Sequence, residues 1–171
     1  MKLFHQHVIP YSILKKLVSL WFMNRSLKEQ FMKLALAEAK QAYDKQETPV
    51  GAVIVYNDII IARAHNMVET LQDPTAHAEM QAITAATNYL GGKYLTGCTI
   101  FVTLEPCAMC AAAIGLSRAA ELIYGAADEK MGYTLVQGKL LHPKTSVENG
   151  ILEDECKKLL IDFFRNKRIK T

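Results

Sequence analysis

An α/β fold in three layers, a mixed five-stranded sheet with helices on both faces, is what the hydrophobic pattern of this chain predicts. Three observations carry that expectation. Short runs rich in β-branched and apolar residues alternate with amphipathic segments of helical length, the pattern that places helices on both faces of a largely parallel sheet. The first two apolar runs flank Asn57-Asp58, a pair suited to the left-handed conformations of a tight turn, so they close as an antiparallel hairpin. The chain has 171 residues, 50% of them apolar and 22% charged, which is enough to bury one core, and no linker or repeat divides it.

The elements follow in order. Ser26-Leu27-Lys28-Glu29 fits a capping box, which predicts a helix over 27–45 with Phe31, Leu34, Ala35 and Ala42 turned inward. Val50 to Tyr56 and Ile59 to His65 are the hairpin strands. Asp73-Pro74-Thr75 reads as a helix entry, and the run that follows stops at Gly91-Gly92, so a helix is expected over 75–90. Thr99 to Leu104 is a third strand. Pro106 in a first turn opens a helix over 106–117. Glu121 to Gly125 and a short run at Thr145 to Glu148 supply the last two strands, and a helix over 152–168 closes the chain.

Residues 1–25 read as an N-terminal extension, disordered or preceding the true start, and 26–171 as the domain. Val8 to Met23 is apolar on average, but Lys15 and Lys16 interrupt it and Pro10 breaks its start, so it falls short of a membrane span or a secretion signal. His5 and His7 at such a terminus are weak evidence for a metal. Four cysteines without a secretion signal predict a reducing, cytoplasmic compartment. The net charge of +3 does not by itself imply a nucleic-acid partner. Its distribution is more telling, because Arg165, Lys167, Arg168 and Lys170 cluster beside Phe163-Phe164. The same cations also suit the end of a helix dipole.

The chemistry is concentrated in His77-Ala78-Glu79 and Pro106-Cys107-Ala108-Met109-Cys110. Alone, His77 reads as a cap, Glu79 as a first-turn acid and the cysteine pair as one of several redox or metal motifs. Together they give three soft donors and one carboxylate that ligates nothing. A structural zinc site closes four positions with protein atoms, while a catalytic one stops at three. Cys98 and Cys156 allow a rival four-cysteine site. Cys98, however, sits at the far end of the third strand from Cys107, roughly 3.3 Å per residue away, and both fit better as small buried hydrophobes. Ligands of such sheets lie beyond the carboxyl ends of the strands, where Glu105-Pro106 leaves the third strand.

From about Ser26 to Arg168 the chain resembles the bacterial tRNA-specific adenosine deaminases of the cytidine deaminase-like superfamily. The resemblance rests on both motifs and on Glu47-Thr48-Pro49-Val50-Gly51-Ala52-Val53, Ala62-Arg63-Ala64-His65-Asn66, Ser117-Arg118, Tyr124-Gly125-Ala126 and Asp162-Phe163-Phe164-Arg165-Asn166-Lys167-Arg168. It implies a cytidine deaminase-like fold and the conversion of a wobble adenosine in a tRNA anticodon loop to inosine. It further implies zinc held by His77, Cys107 and Cys110, with proton transfer by Glu79. Asn66 and the Ala78 backbone would hold the flipped base, Pro49 and Val50 would wall the pocket, and the chain would form a homodimer. A free-base deaminase for guanine or cytosine and a silent zinc-stabilised RNA-binding module remain as alternatives. Residues 131–144 depart from the family pattern, and Tyr133 and Lys139 there offer either RNA contacts or packing.

Overall fold

The structure is a computed structural model that describes residues 24–169. The expected features at His5, His7, Val8 to Met23 and Lys170 lie outside the described residues. In chain order the elements are α1 (Arg25–Asp44), β1 (Gly51–Tyr56), β2 (Ile59–His65), α2 (Val68–Leu71), α3 (Ala78–Leu90), β3 (Cys98–Leu104), α4 (Ala108–Ser117), β4 (Glu121–Ala126), β5 (Ser146–Asn149) and α5 (Glu153–Ile169). A single 3₁₀ turn at Tyr133–Leu135 precedes β5.

The strands form one sheet in the order β2-β1-β3-β4-β5. β3, β4 and β5 run parallel, as the alternation predicts. β1 is antiparallel to both neighbours, because the chain leaves the hairpin on β2 and crosses through α3 to β3, leaving β1 between that parallel pair. Asn57 and Asp58 have φ of 50° and 61°, the left-handed pair that a two-residue hairpin turn requires.

Alternate side chains of the strands point to opposite faces of the sheet, and both faces are buried. Ala52, Ile54, Ile100, Val102, Leu122 and Tyr124 pack with Ala78, Ala82 and Ile114 of α3 and α4. Val53, Val55, Phe101 and Ile123 pack with Phe31, Met32 and Ala35 of α1 and Cys156 of α5. Gly51 allows α1 to lie this close, since a Cβ there would run into the Ala35 carbonyl and the Ala39 amide. Lys28 ties α1 to the sheet, its Nζ lying 3.1 Å from Glu121 and 2.6 Å from Glu148. Among the described residues no helix is long and apolar enough to cross a membrane.

Three helix starts differ from expectation, each for a local reason. The cap of α1 is Asn24, whose side chain accepts from the Leu27 amide at 2.8 Å. Ser26 therefore lies inside the first turn. Its capping box does not form, because Glu29 pairs back to Arg25 at 3.2 Å. Asp73 accepts from the Thr75 amide and hydroxyl at 2.8 and 2.7 Å, a local turn that delays α3 to Ala78. Pro106 stands ahead of α4 and outside its first turn: its carbonyl accepts from Tyr133 at 2.9 Å, and Cys107 bridges to Gly132 in extended conformation.

Candidate active site

Those two late starts build the site. His77 and Cys107 become the caps of α3 and α4, each in extended conformation with its side chain free of the helix body. The His77 imidazole makes no capping bond and faces sulfur instead. Its Nδ1 lies 3.7 Å from the Cys107 sulfur and 3.5 Å from that of Cys110, one turn into α4. Among the described residues these three form the one cluster of potential metal ligands, with all donor atoms within 4.8 Å of one another. Tetrahedral zinc, with its characteristic bond lengths to nitrogen and sulfur, would space those donors roughly 3.6 Å apart. The donor set fits zinc in both chemistry and spacing.

The protein's own groups shift one another strongly. The Cys110 thiol and the His77 imidazole hold Cys107 down to about 4, in the thiolate form that ligates metal. Cys110 is pushed up because its proton is shared with Cys107 and because it is buried. His77 rises by its bond to Cys107, against the opposing pull of burial. Glu79, 3% exposed, is raised chiefly by burial. A carboxyl raised in this way is suited to accept and return a proton near neutral pH.

The cluster opens into a cavity of about 390 Å³ beyond the carboxyl end of β3. His77, Cys107, Glu79, Asn66 and Val50 all line it. Cys110 sits behind them, fully buried. Ala78 is also fully buried, at the first position of α3, where the backbone N–H has no partner within the helix. Pro49 is buried and is not among the lining residues. A larger open depression of about 620 Å³ lies on the outer face of α3 around Thr84 and Asn88, away from this chemistry. Cys98 and Cys156 are buried apart from the cluster, and burial pushes their thiols up to about 11 and about 12.

Comparison with known proteins decides the family. Residues 25–126 match the family model described as the cytidine and deoxycytidylate deaminase zinc-binding region. A tRNA-specific adenosine deaminase from Aquifex aeolicus is 48% identical over 146 residues, covering 82% of this chain and 96% of the relative. The chain belongs to the tRNA-specific adenosine deaminase family. A solved structure from studies of A-to-I editing by tRNA:A34 deaminases at the wobble position is 42% identical, with a TM-score of 0.72 and coverage of 77% of this chain and 99% of that one. A guanine deaminase structure from Bacillus subtilis is 40% identical with a TM-score of 0.57, covering 61% of this chain and 66% of that one. The fold is thus the cytidine deaminase-like one expected from the resemblance.

In this deaminase the cavity also collects residues that sequence reasoning left without a role. Glu105, 4% exposed, accepts from the Asp128 amide and from the amide and hydroxyl of Thr134 at 3.1, 3.1 and 2.7 Å. It holds the segment that carries Asp128 and Met131 against the cavity wall. Gly132 is needed there, since a Cβ would strike the Asp128 carbonyl and the Glu105 carboxylate. Within the departing segment, Tyr133 packs edge-on to Tyr124 at 6.5 Å, and Lys139 is exposed. Glu47 is fully buried on the opposite wall. The sequence signal for both acids is their place immediately before Thr48-Pro49 and Pro106-Cys107, within stretches that carry the family resemblance.

The basic tail is divided. Lys167 lines the cavity and stacks over Phe163 at 5.6 Å, Arg165 pairs with Asp162 at 2.9 Å, and Arg168 is exposed. Phe163 packs on Tyr43 of α1, and Asn166 donates to the Tyr43 hydroxyl at 2.7 Å, so α5 ends beside the mouth of the site.

Proposed function

We propose that the chain hydrolyses adenosine to inosine at the wobble position of a tRNA anticodon, releasing ammonia, with zinc held by His77, Cys107 and Cys110. The observation that carries the reading is the opening of a three-donor soft cluster and the buried Glu79 onto a single cavity with Lys167 at its wall. Near-full-length identity to proteins named tRNA-specific adenosine deaminase supports the substrate. The free-base and silent-module alternatives are not favoured.

When bound at three protein donors, zinc supplies Lewis-acid activation of water near neutral pH. Glu79 takes a proton from the attacking water and delivers it to the purine ring nitrogen, then takes the remaining proton from the hydroxyl added at the reacting carbon and passes it to the departing amine, so water and adenosine become inosine and ammonia. Its burial keeps the proton near the reacting atoms and away from solvent. The Ala78 N–H and Asn66 orient the extruded base, Val50 and the buried Pro49 support the wall, and the buried Cys98 and Cys156 take no part. Arg165, Lys167, Arg168 and Lys170 contact phosphates of the anticodon loop. The active form is a cytoplasmic homodimer of a domain spanning 26–171.

Incubating zinc-loaded protein with total tRNA, and separately with free adenine, guanine and cytosine, tests the reading. Inosine at a wobble position with equimolar ammonia, and no ammonia from free bases, is the expected result. Turnover of a free base without inosine in tRNA overturns it.

A further inference from the structure

Asn66 and Glu47 meet on the cavity wall in an arrangement that constrains chemistry. Glu47 is fully buried, and three amides donate to it, the Thr70 backbone N–H at 2.7 Å, the Glu69 backbone N–H at 3.2 Å and the Asn66 side-chain Nδ2 at 3.1 Å, together with the Thr70 hydroxyl. The two backbone donors belong to the first turn of α2, whose cap, Met67, offers no side-chain bond, so Glu47 caps that helix from 22 residues away. Burial pushes the carboxyl up, but the bonds from Thr70, Glu69 and Asn66 outweigh it and leave Glu47 below the usual carboxylate range. An ionised carboxylate only accepts hydrogen bonds. Backbone amides cannot turn over, and the Asn66 backbone is itself fixed by its N–H on the Val50 carbonyl at 3.0 Å. The adjustable partners are the Thr70 hydroxyl and the Asn66 side-chain amide, and of these Asn66 is the one that lines the cavity.

We infer that Glu47 is a positioning residue: it orients the Asn66 amide with its NH₂ group toward the wall, so that the carbonyl oxygen faces the cavity as a hydrogen-bond acceptor. The inference rests on the cavity being the substrate pocket. Asn66 then meets an N–H or O–H of the substrate and rejects a bare acceptor at that point, since two facing lone pairs leave both groups unsatisfied. Specificity at that contact is set by a residue that does not touch the substrate.

The test is an exchange of hydrogen-bonding roles. In Glu47→Gln the Thr70 amide, the shorter of the two backbone bonds, claims the new carbonyl at the Oε1 position, and the NH₂ group takes the Oε2 position, where it faces Asn66 and leaves the Glu69 amide without its acceptor in the single and double variants alike. Asn66 must then turn its carbonyl inward and present NH₂ to the cavity. Turnover of tRNA, read as kcat/KM, should fall about tenfold to hundredfold with zinc content unchanged. Adding Asn66→Asp should recover most of the loss. The glutamine introduced at position 47 donates to one oxygen of the aspartate introduced at position 66, the second oxygen is again an acceptor facing the cavity, and total charge is preserved. Wild-type kcat/KM in Glu47→Gln overturns the inference. So does a double variant no better than the single one, which is what a purely structural capping role produces; melting temperatures of both variants identify a folding defect. A readout independent of turnover is the Asn66 side-chain amide in nitrogen-15 NMR. Its resonances should move and its protons exchange faster in Glu47→Gln, and unchanged signals overturn the positioning role even if the protein proves to act on another substrate.

Discussion

The two ends of β3 carry the same residue type in opposite states. At the amino end Cys98 is fully buried among apolar neighbours, and its thiol is pushed up to about 11. Three residues past the carboxyl end, Cys107 caps α4 beside His77 and Cys110 and is held down to about 4. The parallel neighbour β4 repeats the polarity. Its first residue, Glu121, is tied to Lys28 and to the Thr99 hydroxyl, while its last, Ala126, accepts the Glu105 amide at 2.8 Å beneath the cavity. One end of the sheet is closed by packing and ion pairing. The other stays reactive because helix starts, where backbone N–H groups lack partners, converge there.

The largest effect comes from breaking the reactive end. His77→Ala or Cys110→Ala should reduce zinc from one per chain to near zero, and turnover by about 10³-fold or more, the loss of several kcal/mol of Lewis-acid stabilisation. Cys98→Ala with Cys156→Ala should leave the zinc ratio unchanged, and zinc loss in that pair defeats the three-donor assignment. After chelation, iodoacetamide at pH 7 should alkylate Cys107 first, as the thiolate, and spare Cys98 and Cys156. Mass spectrometry of the labelled peptides reads the order.

Glu79 separates binding from chemistry within the same end. Glu79→Ala should keep zinc and tRNA affinity while single-turnover rates fall by about 10²-fold to 10⁴-fold. Near wild-type rates remove it from the mechanism. A smaller effect belongs to the tail. Neutralising Arg165, Lys167, Arg168 and Lys170 should weaken tRNA binding and flatten its dependence on log salt by up to about 0.7 to 0.9 for each phosphate no longer neutralised. Arg165, already paired with Asp162, should contribute least of the four. An unchanged slope rejects the tail as an RNA-binding element.

The strands were legible because short apolar, β-branched runs and the Asn57-Asp58 pair are local signals, and the cluster of potential metal ligands because Cys-x-x-Cys and the His77 triplet are. Helix starts were less so. Asn24 and Ser26 are both good cap residues, and Asn24 takes the cap of α1 by accepting from the Leu27 amide, while the delay of α4 depends on Pro106 accepting from Tyr133, which lies 27 residues on. Short elements such as α2, and the direction of β1 beside β3, are likewise fixed by partners distant in sequence. Glu47 and Glu105 had only their place in the family-like stretches to mark them, and nothing local showed what they do. An acid before a proline or a strand looks like a surface residue until the amides that satisfy it, at Glu69 and Thr70 or at Asp128 and Thr134, fold over it.

The closed end supplies the smallest expected effect on function and the sharpest contrast. Lys28 is buried against Glu148 and Glu121; burial pulls its ammonium down, but the bonds to the two carboxylates outweigh it and leave it raised. Lys28→Met keeps the packing stem and deletes the charge, leaving Glu121, with its side chain 22% exposed, short of its partner while Glu148, at 39%, turns to water. The cost should be about 1–3 kcal/mol of stability. Zinc content and turnover should match wild type, because nothing in the cavity touches this end. The sign with pH follows from the raised value. A group whose folded pKa lies above its unfolded one, about 10.4 for lysine, stabilises fully below that pH and loses the contribution as pH rises through the folded value. The difference in melting temperature between wild type and Lys28→Met should therefore be constant from pH 7 to 9 and shrink above about 10.4. A gap that widens there would overturn the raised value for Lys28, and a loss of zinc at pH 7 would show that the two ends of the sheet are coupled rather than independent.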